Sequence, residues 1–117
     1  MFLNHLDLSV SDVQATVSFF ETFFGFRLET SRSSPAIAVL RGDEDVVVVL
    51  QRDAMPVYPD RFHFGFRVPD VATVETTHAA LVAAGHDVGA IDVNARGTML
   101  YCRFDSLLVE VSSTRKR

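Results

Sequence analysis

A nine-residue pattern occurs twice in this chain. His5-Leu6-Asp7-Leu8-Ser9-Val10-Ser11-Asp12-Val13 returns as His63-Phe64-Gly65-Phe66-Arg67-Val68-Pro69-Asp70-Val71, with an offset of 58 throughout a sequence of 117 residues. Gly25 follows the first His by 20 residues and Gly85 follows the second by 22. A repeat of about half the chain length confines the fold to two copies of one supersecondary unit. The chain reads as one domain, with module one over 1–52, a linker over 53–60 that holds Pro56 and Pro59, and module two over 61–117.

Each copy predicts the same local structure. Alternation over 3–10 and 62–68 puts Leu6, Leu8 and Val10, or Phe64, Phe66 and Val68, on one face of a strand. His5, Asp7 and Ser9, or His63, Gly65 and Arg67, take the other face. Asp12 and Asp70 stand at helix N-caps, where a carboxylate accepts from the orphan amides of the first turn. Gly25 and Gly85 stand where helices ending near Phe24 and Ala84 want a left-handed cap. Val13, Val17, Phe20 and Phe24 form the buried stripe of the first helix, and Val71, Val74, His78 and Leu81 that of the second. Strands over 26–32, 36–41 and 45–52 follow the first helix; strands over 86–92, 98–104 and 107–113 follow the second. The expected fold class is α+β: two βαβββ modules whose curved mixed sheets enclose a cleft, with helices on the outer faces.

Composition narrows the function classes. With 48% hydrophobic and 22% charged residues, a packed core forms and wholesale disorder is excluded. A net charge of −4 argues against a nucleic-acid or anionic-membrane surface, both of which select clustered Lys and Arg. The basic run Arg115-Lys116-Arg117 reads as a solvated tail. Cys102 is the lone cysteine, so no internal disulfide forms, and a reducing, cytoplasmic setting is expected. It reads as packing rather than a nucleophile. No apolar run approaches the ~20 residues of a membrane span. Phe19 and Phe23 lie beside the main stripe of the first helix, and an exposed aromatic patch there predicts a homodimer.

With the repeat, the paired His positions and a late strand Glu in view, the sequence resembles the vicinal-oxygen-chelate superfamily, which includes glyoxalases, bleomycin-binding proteins, extradiol dioxygenases and fosfomycin-resistance thiol transferases. The resemblance is carried by Asn4-His5-Leu6-Asp7-Leu8-Ser9-Val10 through Phe19-Phe20-Glu21 to Gly25-Phe26, by residues 63–71, and by Leu107-Leu108-Val109-Glu110-Val111. It implies that His5, His63 and Glu110 bind one divalent ion. Two imidazoles and a carboxylate suit Fe(II), Mn(II), Ni(II) or Zn(II) and leave positions open. Glyoxalase-type members add a ligand at a position corresponding to about Val49, which cannot coordinate. Tyr101 resembles a tyrosine that contacts substrate or relays a proton. Arg67 and Asp7 share parity with the two His and are candidate substrate-binding residues, Arg67 for an anionic group and Asp7 as an orienting group. A buried Asp7–Arg67 pair, or exposure at the rim, is the alternative. His78 reads as a core-edge residue, His86 as exposed, and Arg41-Gly42-Asp43 as a turn.

The chain departs from the family at Phe104-Asp105-Ser106, a turn lacking the usual Pro and Gly, which leaves the register of the last strand open. Asn94-Ala95-Arg96-Gly97-Thr98 lacks the acidic residue of the fosfomycin transferases' potassium loop, so that activity ranks low. The expected function is a small metal-dependent enzyme whose ion chelates vicinal oxygens of a small substrate, dioxygenase-like chemistry first. The alternative is a metal-free protein that binds a drug or metabolite, with the Phe-rich sequence and Tyr58 supplying its pocket.

Overall fold

In the computed structural model, which describes residues 1–116, the chain divides into two compact units, Met1–Val57 and the segment from Tyr58 onward. The first unit runs β1 (His5–Val10), α1 (Val13–Phe24), β2 (Arg27–Leu28), β3 (Ile37–Arg41) and β4 (Val47–Arg52), with a 3-10 turn over Thr30–Arg32. The second runs β5 (Phe64–Arg67), α2 (Val71–Ala83), β6 (Asp87–Val88), β7 (Asp92–Asn94), β8 (Gly97–Phe104) and β9 (Leu107–Ser113). Strand orders are β1-β4-β3-β2 and β5-β9-β8-β6, with β7 also on β8. In both units the first strand pairs parallel with the last, and every other pairing is antiparallel. Parallel neighbours need a crossover, which α1 and α2 supply. The fold class is α+β, a βαβββ unit made twice.

The caps form as the sequence predicts. Asp12 accepts from the Ala15 amide at 3.0 Å and Asp70 from the Thr73 amide at 2.8 Å. The Thr73 hydroxyl also donates to Asp70, and these two bonds hold the Asp70 carboxyl below its ordinary range. Gly25 and Gly85 adopt φ of 70° and 79°. Alternation holds as well. Leu8 and Val10 are buried, and Phe20 of α1 is fully enclosed and meets Phe26 edge-on at 5.4 Å. Leu100, Cys102, Leu107, Val109 and Val111 bury beneath α2 with Val74 and Leu81.

Several expectations need correction. The strand predicted over 26–32 lasts two residues, because Glu29 turns the chain and is held by Arg41 Nε at 2.9 Å. The strand predicted over 86–92 breaks into β6 and β7 around Gly89-Ala90-Ile91, and both fragments pair with β8. Phe19 is only 3% exposed, packed edge-on to Phe24 at 5.3 Å, so of the expected aromatic patch on α1 only the half-buried Phe23 meets solvent. His86 is half-buried against the Phe104 ring rather than exposed. His78 bonds the Gly89 carbonyl at 3.0 Å, as a core-edge residue would. Arg115 and Lys116 are exposed, and Arg117 lies outside the described residues.

Two positions give direct tests of this packing. Gly97 opens β8 with φ of 128°, and a Cβ there would stand 2.0 Å from the Ser113 carbonyl oxygen. Gly97→Ala combines a clash with a backbone forbidden to other residues, and should cost at least about 3 kcal/mol in a denaturation midpoint. Burial pushes the Cys102 thiol up from its ordinary 9.0 to about 11, with Asp87 adding to the effect. The folded state therefore holds this proton more tightly than the unfolded chain, and the resulting stability is complete below pH 9 and lost towards pH 11. Urea titrations of wild type and Cys102→Ala should show the stability difference shrinking by about 2 kcal/mol across that window.

Candidate functional site

In the second unit the site grows from the register of β9. Phe104 pairs with Leu107 across a two-residue turn in which Asp105 takes a left-handed φ of 53°. This settles the register that the missing Pro and Gly left open: Tyr101 faces Glu110 on one side, and Gly65 faces it on the other. Leu107, Val109 and Val111 turn to the core, so Glu110 takes the opposite face.

Three sequence-predicted residues meet there. The Tyr101 hydroxyl donates to Glu110 Oε1 at 2.6 Å, and His63 Nε2 lies 3.9 Å from the same oxygen. The His63 and Tyr101 rings meet edge-on at 5.7 Å. The bond to Glu110, and then burial, raise the Tyr101 pKa above its ordinary 10.0, with Arg96 opposing the shift. Tyr101 thus stays protonated and acts as a donor to the carboxylate rather than as a base. The Glu110 side chain is 15% exposed. Gly65 leaves it room, since a Cβ there would lie 3.1 Å from the Glu110 Cβ and 3.3 Å from Oε2.

The imidazoles are oriented alike. His63 Nδ1 lies 2.9 Å from the Arg61 carbonyl oxygen, and His5 Nδ1 lies 2.9 Å from Asn4 Oδ1. Both partners are acceptors, so each Nδ1 is the donor of that bond, and each Nε2 points away from the anchor. Anchoring Nδ1 to an oxygen is how proteins aim a ligating imidazole. The donor types, imidazole nitrogen and a half-buried carboxylate, fit a borderline divalent ion. Among the described residues no group of three or more His, Cys, Asp or Glu is gathered closely enough to hold a metal.

In the first unit His5, Asp7 and Ser9 share the face opposite Leu8 and Val10. Asp7 is exposed, and Gln51 Nε2 donates to both of its oxygens at 2.8 Å. Asp7 pairs in register with Val49, and Val49 with Val39. Val49 is therefore the counterpart of Glu110, and an apolar side chain fills the place of a fourth ligand. Arg67 is exposed on β5, opposite Ser112 and two residues beyond Gly65 on the same face.

Sequence reasoning passed over Gln51, Gly65 and Arg96. Arg96 Nη2 lies 3.4 Å from the Tyr101 hydroxyl and 3.6 Å from Met99 Sδ. Its pKa is raised by Tyr101 and then by the Glu110 charge. Arg96 sits in a turn, where alternation assigns no face, and Gln51 and Gly65 emerge only from cross-strand register.

Comparison with known proteins follows the same lines. A possible glyoxalase from Bacillus cereus superposes with a TM-score of 0.84 at 25% identity, over 96% of this chain and 98% of that one. The genomically encoded fosfomycin resistance protein of Listeria monocytogenes, complexed with Mn(II) and sulfate, gives 0.80 at 19% identity, over 96% and 89%. The bleomycin-binding protein of bleomycin-producing Streptomyces verticillus, complexed with copper(II)-bleomycin, gives 0.71 at 19%, over 97% of both. No curated protein matches significantly. A family model matches residues 2–104, ending before β9 and Glu110. Spanning most of a chain whose two units repeat one topology, that match makes this protein a member of the glyoxalase/bleomycin resistance protein/dioxygenase superfamily.

Proposed function

We propose that this protein is a small metal-dependent enzyme that binds one divalent ion (Fe(II), Mn(II), Ni(II) or Zn(II)) through His5, His63 and Glu110. The observation that supports the reading is local to the second unit: a half-buried carboxylate, fixed by Tyr101 at 2.6 Å, stands beside an imidazole that is anchored through Nδ1 and turns Nε2 towards it. When bound, a divalent ion would supply Lewis acidity for chemistry at vicinal oxygens of a small substrate. The remaining work falls to side chains. Tyr101 holds Glu110 and keeps its proton, so it donates a hydrogen bond at the site. Asp7, braced by Gln51, orients the substrate, and Arg67 reaches an anionic group on it. Dioxygenase-like chemistry ranks first, with isomerase or thiol-transferase chemistry behind it. The setting is cytoplasmic, consistent with a single buried thiol.

Metal analysis tests the ligand set. Protein purified without chelator should carry about one transition ion per site. His63→Ala and Glu110→Gln should each abolish it, and Tyr101→Phe should weaken binding about 10- to 100-fold while circular dichroism stays unchanged. Full metal content in both ligand variants overturns the assignment. A metal-free wild type that binds a catechol or an antibiotic favours the binding-protein reading instead.

A homodimer accompanies this reading. With Phe19 buried, Phe2 and Leu3, 74% and 80% exposed ahead of β1, offer apolar surface for it. Sedimentation at micromolar concentration should show twice the 13.0 kDa chain mass, and Phe2→Ser with Leu3→Ser should shift it to monomer. Wild-type monomer at that concentration removes the proposal.

A further inference from the structure

Among the described residues Arg96 is the arginine that contacts Tyr101 of the Tyr101–Glu110 pair, and its placement is over-determined. The Asn94 side chain accepts from the Arg96 amide at 2.8 Å while donating to Asp92 at 2.9 Å. The Gly97 that follows packs so closely on Ser113 that a Cβ would stand 2.0 Å from its carbonyl oxygen. This turn lays the guanidinium over Met99 towards Tyr101 Oη. Yet the contacts it makes there are weak: a thioether sulfur at 3.6 Å and a neutral phenol oxygen at 3.4 Å. Asp92 and Glu110 act on it only at longer range, and among the described residues it forms no ion pair within 4.0 Å. Five N–H donors in a rigid fork are thus held beside the candidate metal ligand with no strong acceptor.

We propose that Arg96 is an anion-recognition residue of this site in addition to Arg67, so that the substrate bears a phosphate or phosphonate group that sits against the guanidinium beside Tyr101. The inference rests on the metal-site reading above for the substrate's other end. The fork geometry of guanidinium suits two oxygens of one group, which a lysine cannot match.

The test separates the two ideas. Metal content of wild type, Arg96→Gln and Arg96→Lys is measured first, and Arg96 variants should retain it. Calorimetry with Mn(II)-loaded protein then compares glycerate with 3-phosphoglycerate, which share a hydroxy-carboxylate head and differ by a phosphate. Wild type should prefer the phosphorylated probe at least 10-fold. Arg96→Gln should lower its affinity about 10- to 100-fold and leave glycerate unchanged, with Arg96→Lys between them. Equal losses for both probes, or no loss, overturn the role of Arg96. If wild type takes up no metal, the metal reading fails by itself, and inorganic phosphate is titrated into the apo protein. Binding that Arg96→Gln removes then supports the anion site alone, whereas absent or unaltered binding overturns it.

Discussion

The parallel pairing of the first strand of each unit with its last is the constraint from which the rest follows. It places residues from opposite ends of a unit side by side, and it obliges the intervening chain to cross over as a helix. β9 then lies between β5 and β8, so one side chain on it is flanked from both directions. Glu110 occupies that position. Its environment is assembled from Gly65, which contributes space, and Tyr101, which contributes a proton. The parallel register brings Gly65 opposite it, while the antiparallel pairing with β8 brings Tyr101, whose hydrogen bond makes the burial of the carboxylate tolerable.

Much of this was legible in the sequence because the signals involved are local. Caps at Asp12, Asp70, Gly25 and Gly85 depend on a few adjacent backbone groups, and alternation in β1, β5 and β9 depends only on a period of two. The strands that failed are those whose existence depends on a neighbour. The predicted 86–92 strand contains Gly89 and Ala90, which offer nothing to pack, and it survives only as fragments stitched to β8. The predicted 26–32 strand yields at Glu29 because Arg41, twelve residues away, captures the carboxylate. The aromatic face of α1 was misread for a related reason: periodicity counts apolar residues, but whether Phe19 is covered depends on packing that periodicity does not carry.

The site divides along the same line. Parity alone put His63 and Glu110 on the face away from the core. Which residues stand opposite them was set by the two-residue turn at Asp105-Ser106, where an aspartate tolerates a left-handed backbone that glycine more often supplies. Arg96 lay beyond reach for a different reason. A turn residue has no face until the strands on either side fix it, and the orientation of its side chain depends on Asn94 and the crowding behind Gly97.

The equivalent crossings in the two units carry the same ingredients in exchanged places. In the second unit a small residue on the first strand, Gly65, faces an acid on the last, Glu110; in the first unit an acid on the first strand, Asp7, faces an apolar residue on the last, Val49. Each crossing therefore keeps a single negative charge and no crowding, although only one of them presents a carboxylate from the last strand. Divergence between two halves of a duplicated unit can proceed through such an exchange without opening a void or stranding a charge. The repeat that organises the backbone thus leaves the chemistry of each half free to drift apart at one pair of positions.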